Sequence, residues 1–152
     1  MSKKIIAAGA LSLCALAAVL TFQGAKAPEI SPQEVFTWDC EIPEQQPEAI
    51  TFTCADGGMY VDRIDWSRWD ESGAEGEGFY NVNDCDPNCA EGTMHEMPAR
   101  IWLSDLVAYK GKQYLRTLEI NSISGENLPQ SGESSLMWDV MEFAEKIGGL
   151  KA

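Results

Sequence analysis

Trp66-Ser67-Arg68-Trp69 places two indoles within a single short segment. Indoles are flat π surfaces that suit the C–H faces of sugar rings. Trp66 and Trp69 are therefore the candidate binding residues. A strand running straight through them would send the two rings to opposite faces, because side chains alternate. A shared platform requires a bulge or turn at Ser67-Arg68. The competing use for both rings is core packing, and the next segment favours it. Ala74, Gly76 and Gly78 would leave one strand face almost bare. A bare sheet face normally receives a large ring or a close backbone.

Carboxylates supply the second kind of chemistry. Glu75 and Glu77, alternate residues of one strand, stand about 6.6–7 Å apart. That is close to the lower separation used by inverting glycosidases. They point the same way, however, and catalytic carboxylates must flank a bond from two sides. Solvated strand charges are the favoured reading, with Asp62 and Asp65 completing the set open to a hydrolase. Asp84, Asp86 and Asn88 match the first three ligand positions of a calcium loop. The match then fails, with Cys89 in the glycine position and His95 in place of the bidentate glutamate. A tight Asx-type turn is favoured instead. His95 is the single histidine. No Gly-x-Ser-x-Gly elbow is present, and no nucleophile can be placed beside a base. The glycine clusters lack a phosphate-loop pattern. No catalytic residue, cofactor or metal ligand is assigned.

The remaining chemistry is that of sulfur, and it depends on compartment. Lys3-Lys4, the apolar run Ile5–Phe22 and Ala25-Lys26-Ala27 form a signal-peptide pattern, with cleavage expected after Ala27. An uncleaved anchor is the alternative, since about 18 apolar residues is near the lower limit for a span. Lipid attachment at Cys14 is disfavoured by Leu13, where a small residue belongs. Loss of the leader leaves Cys40, Cys54, Cys85 and Cys89. An even count in an exported chain reads as two disulfides, for which three pairings are available. We favour Cys40–Cys54 and Cys85–Cys89. Pro87-Asn88 can turn the chain so that the second pair meets within the roughly 7 Å between α-carbons that a disulfide needs. Zinc held by Cys85, Cys89 and His95 is the lesser alternative outside the cytoplasm.

Removing 27 residues from 152 leaves 125, the size of one domain with a real core. The whole chain carries a net charge of −13. The leader takes three of the 11 basic residues, leaving 8 against 24 acidic ones, or about −16. Such a surface excludes nucleic acid as a partner and disfavours docking on anionic lipid. No stable membrane insertion is expected after cleavage. A wall component, a sugar or a protein remains open as partner.

The elements that must position these residues are mostly strands. Residues 28–48 are rich in Pro, Glu and Gln and read as an extended, partly disordered lead-in. Val35-Phe36-Thr37-Trp38 interrupts it and can pack on the domain, with Cys40 as its anchor. From Ala49 the pattern has period two. Strands are predicted at Ile50–Cys54, Tyr60–Trp66, Ala74–Val82, Met94–Leu103 (with a break at Pro98) and Gln113–Ile123. Turns fall at Asp56-Gly57-Gly58, Asp70–Gly73 and Lys110-Gly111-Lys112, and a stapled loop over Cys85–Gly92. Ser124–Ser135 is a polar loop. Leu136, Val140, Phe143 and Ile147 then share one helical face. The spacing predicts an amphipathic helix over about 135–147, ended by Gly148-Gly149. The expected fold is mainly β, a small antiparallel sandwich or barrel with a C-terminal amphipathic helix, over residues 49–152.

Three runs carry a resemblance: Trp66-Ser67-Arg68-Trp69, Ala74-Glu75-Gly76-Glu77-Gly78, and Asn83-Asp84-Cys85-Asp86-Pro87-Asn88-Cys89-Ala90-Glu91-Gly92. The pattern W-S-x-W, A-x-G-x-G, N-D-C-x-P-x-C-A-x-G resembles that of a group of small secreted actinobacterial proteins. The resemblance spans residues 54–103. It implies a β-rich exported domain and no particular activity. The expected function is non-enzymatic binding or a structural role outside the cytoplasm. The alternatives are a carboxylate hydrolase and an inhibitor that presents the Cys85–Cys89 loop.

Overall fold

The computed structural model describes residues 34–40 and 42–146. The expected leader, Cys14, the start of the acidic lead-in, Ile147 and Gly148-Gly149 lie outside the described residues. The elements in chain order are β1 (Val35–Asp39), β2 (Ile42–Glu44), β3 (Ile50–Thr51), β4 (Met59–Asp70), β5 (Gly73–Asn83), β6 (Met94–Tyr109), β7 (Lys112–Ser122), β8 (Ser135–Asp139) and α1 (Glu142–Lys146).

All eight strands belong to one curled sheet in the order β2-β1-β7-β6-β5-β4-β3, with β8 also on β7. The expectation of a mainly β fold therefore holds, but the antiparallel sandwich or closed barrel is corrected to a mixed half-barrel. Its mixed character comes from β1. This strand lies parallel to β7, with Val35 opposite Gln113 and Phe36 opposite Tyr114. Thr37 is fully buried there and its hydroxyl donates to the Leu115 carbonyl at 3.1 Å. Strands β1 and β2 thus bring part of the 28–48 segment into the sheet.

The long strands β5 to β7 follow the predicted alternation through their paired centres, while β4 departs from it at two bulges, between Asp62 and Asp65 and between Trp66 and Arg68. Ala74, Gly76, Gly78, Tyr80 and Val82 of β5 face inward with Ala99, Ile101 and Leu103 of β6 and Leu118 and Ile120 of β7. Glu75, Glu77, Arg100, Trp102 and Glu119 occupy the intervening, outward positions. Pro98 sits opposite Phe79 without breaking β6. Lys110 and Gly111 carry φ of 47° and 78°, the left-handed pair that a tight hairpin turn requires between β6 and β7.

The C-terminal helix of about 135–147 is the second correction. Ser135–Asp139 forms β8, and α1 keeps only Glu142–Lys146. Leu136 lies opposite Ile120, and Trp138 opposite Leu118. Met137 between them is 68 % exposed. The free edge of β7 offers backbone hydrogen bonds and an apolar inner face together. Those outweigh a helical repeat supported by few residues. Arg116 of β7 then binds the Asp139 carboxylate at 2.6 Å and the Glu145 carboxylate at 2.9 Å, fastening β8 and α1 to the sheet.

Candidate functional site

The two candidate indoles lie on the same side of the sheet. Trp66 pairs with Gly76, Arg68 with Glu75 and Trp69 with Ala74, so Ser67 is an extra residue and β4 bulges there. The bulge brings both rings to the inner face. Their centroids are 4.9 Å apart and the planes cross at 77°, an edge-to-face pair and not a flat platform. Trp69 is 6 % exposed, and its indole N–H donates to the Val35 carbonyl at 2.9 Å. The half-buried Trp66 donates to the Pro47 carbonyl at 2.9 Å. A Cβ on Gly76 would stand 2.8 Å from the Asp65 carbonyl and 3.0 Å from Trp66 Cε3. Glycines and indoles interlock, and the rings hold the lead-in segment onto the sheet.

The cysteines form two pairs, Cys40–Cys54 with α-carbons 5.6 Å apart and Cys85–Cys89 with 3.8 Å. The first pair staples β1 to the segment after β3. The second closes an exposed loop whose backbone is held by its own side chains. Asn83 Oδ1 accepts from the Cys85 N–H at 2.8 Å, and Asn88 Oδ1 from the Ala90 N–H at 3.1 Å. A Cβ at Gly92 would run into Asn83 Oδ1 and the Cys85 backbone, so that position admits only glycine.

Asp84 is the hub of this loop. Its Oδ1 accepts from the Thr93 N–H at 2.8 Å and the Asp86 N–H at 3.1 Å, and its Oδ2 lies 3.0 Å from His95 Nε2. The bond to His95, followed by those backbone N–H groups, holds its carboxyl down at about 2. Asp84 Oδ1 and Asn88 Oδ1, two of the oxygens considered for calcium, are thus turned onto the loop's own backbone. Cys85 and Cys89 bond to each other, leaving no thiolates for zinc. Among the described residues no group of three or more His, Cys, Asp or Glu is placed to hold a metal ion.

The carboxylates of the hydrolase alternative spread over the outer face. Glu75 is 4.0 Å from Arg68, and Glu77 is 3.6 Å from Arg100. Asp65 lies opposite Glu77 on the neighbouring strand. Asp62 accepts from Asn81 Nδ2 at 2.9 Å. Asp65, Glu75 and Glu77 line one small depression of about 220 Å³ with Arg100. They rise from one sheet surface, and none of them faces another across a gap.

Beside that depression lies an open groove of about 590 Å³ lined by Arg68, Ser72, Arg100, Trp102, Ser104, Glu119 and Asn121. Trp102 is half-buried on the outer face, between Glu75 on β5 and Glu119 on β7. The sequence reasoning missed this residue. The signal was parity: Ile101 and Leu103 are core residues, so the indole between them must face outward. Asn121 Nδ2 donates to Glu119 at 2.8 Å, and the Arg68 guanidinium to Ser72 Oγ at 2.9 Å. The groove's polar groups are thus held in fixed directions. No helix among the described residues is long and apolar enough to cross a membrane. Compared with known proteins, the chain matches no family model, no curated protein and no solved structure.

Proposed function

We propose that this chain is an exported, disulfide-stapled binding domain that holds a neutral sugar, such as a wall polysaccharide, in the outer groove at Trp102. The observation that carries the reading is a half-buried indole set among arginine, asparagine and glutamate side chains in an open groove. An apolar ring face ringed by fixed hydrogen-bonding groups complements a sugar, which is apolar on its C–H face and polar at its edge. Arg68 and Arg100 are already neutralised by Glu75 and Glu77. Together with the acidic surface, that favours an uncharged ligand over a polyanion. The two cysteine pairs are compatible with an oxidising compartment.

The test is retention of the secreted protein on insoluble polysaccharides, including chitin, cellulose and cell wall, with Trp102→Ala and Trp66→Phe alongside. Trp102→Ala should lower retention at least tenfold, as loss of an aromatic anchor does, while Trp66→Phe should keep it. Retention that is indifferent to Trp102, or absent for every polysaccharide, overturns the reading. An inhibitor role is the second reading, favoured by the exposed run Asp86–Glu91 on its stapled, internally bonded loop. It would show as capture of a protein partner that Asn88→Ala weakens and Trp102→Ala does not.

A further inference from the structure

Asn83 closes the Cys85–Cys89 loop a second time, independently of sulfur. Its Oδ1 accepts from the Cys85 N–H at 2.8 Å, and its Nδ2 donates to the Cys89 carbonyl at 3.0 Å. One planar amide therefore grips the backbone of both cysteines. Asp84 Oδ1 takes the Asp86 and Thr93 N–H groups, and Asn88 Oδ1 takes those of Ala90 and Glu91. None of these bonds involves sulfur, so breaking the sulfur–sulfur bond removes none of them. The two thiols would stay side by side, placed to close again. The sulfurs also differ in access: Cys89 is exposed and Cys85 half-buried. Cys40 and Cys54 are both half-buried. Exposed disulfides are the labile ones, because exchange needs an incoming thiolate to reach a sulfur atom.

We infer that Cys85–Cys89 is a reversible thiol–disulfide exchange site, open to small external thiols that carry no net negative charge. The incoming thiolate attacks Cys89 Sγ and bonds to it. The Cys85–Cys89 bond breaks, and its electron pair leaves on Cys85 Sγ, which takes a proton from water. A second thiolate attacks the sulfur of the bound thiol and departs with it as a small disulfide. Cys89 is then a thiol as well, and two electrons have passed from the two small thiols to the protein. Where no second thiolate arrives, the Cys85 thiolate expels the bound thiol and restores the loop. Charge sets the class of thiol. Residues 84–93 hold Asp84, Asp86 and Glu91 and no Lys or Arg. His95, the cation nearest to hand when protonated, is paired with Asp84. An anionic thiol therefore meets repulsion that a cationic one does not.

Thiol titration of the full secreted protein, with differential alkylation read by mass spectrometry, tests this. Cysteamine should open Cys85–Cys89 while Cys40–Cys54 stays closed and the circular dichroism spectrum stays that of the oxidised protein. The trapped mixed disulfide should sit on Cys89. Compared at equal thiolate concentration, cysteamine should react about three- to tenfold faster than glutathione at low salt, and the gap should close at high salt. Asn83→Ala should slow reclosure of the reduced loop by about threefold or more, because the cysteines lose their shared clip. Simultaneous opening of both pairs, a loop that resists thiol until urea unfolds the domain, or a mixed disulfide on Cys85 overturns the proposal. So does glutathione matching cysteamine at low salt, or reclosure indifferent to Asn83.

Discussion

The indole N–H of Trp69 donates to the carbonyl oxygen of Val35, 34 positions earlier in the chain, at 2.9 Å. This bond joins the β4–β5 hairpin to the first strand across the interior. Both ends are buried, so neither group can turn to water.

Trp69→Phe should therefore lower stability by about 1–3 kcal/mol, the cost of a buried carbonyl left without its donor, plus a small packing loss. Trp66→Phe should cost less, because Trp66 is half-buried whereas Trp69 is buried. Urea denaturation of the two variants gives the order, and the reverse order contradicts this account.

Gly76→Ala adds one methyl group where the Asp65 carbonyl and the Trp66 ring already stand. Overpacking of this kind costs about 1–3 kcal/mol. Glu77→Ala, the next residue on the exposed face, should stay within about 0.5 kcal/mol of the parent. Parallel thermal melts of the two variants separate crowding from any loss of strand propensity.

The two staples should differ in weight. Cys40 and Cys54 are 14 positions apart, and Cys85 and Cys89 only 4. Chain entropy then assigns about 3 kcal/mol to the first and about 2 kcal/mol to the second. Double Cys→Ser variants, compared by urea unfolding, should rank in that order. Intact mass with and without reductant should show no free thiol at Cys40, Cys54, Cys85 or Cys89.

Asp84 gives the loop a low-pH limit. Its carboxyl is held at about 2, below the ordinary 3.8 it regains on unfolding. Its contribution is therefore complete above about pH 4 and is lost as pH falls towards 2. The acid limb of stability should become shallower in Asp84→Asn. His95→Ala should raise the Asp84 titration midpoint, followed by carboxyl-carbon NMR, because the bond to His95 is the largest cause of the depression.

Strands β5 to β7 were legible because their apolar core residues alternate over Ala74–Val82 and Ala99–Leu103, even though the polar Asn81 is buried on the other parity. The bulge at Ser67 was legible only as a condition, since Trp66 and Trp69 could share a face only through a bulge or turn there. β8 was misread because Leu136, Val140 and Phe143 satisfy a helical repeat as well as Leu136 and Trp138 satisfy a strand. The free edge of β7 decided between them, and no local pattern reports it. The parallel partner of β1 was equally hidden, since Thr37 meets Leu115 at a separation of 78. Trp102 was within reach: the alternation that buried Ile101 and Leu103 also turned this indole to the outer face.

One margin of β7 serves two neighbours, β1 at Gln113-Tyr114 and β8 from Thr117 to Asn121. The first and last strands thus share a single clasp. If either slips away, a bare row of amides and carbonyls opens above Leu115 or Ile120, ready to recruit a stranger's backbone. Shelf life in solution would then be governed by how firmly Cys40–Cys54 and the Arg116 ion pairs keep those two flaps shut, and precipitation on mild reduction would begin at this seam.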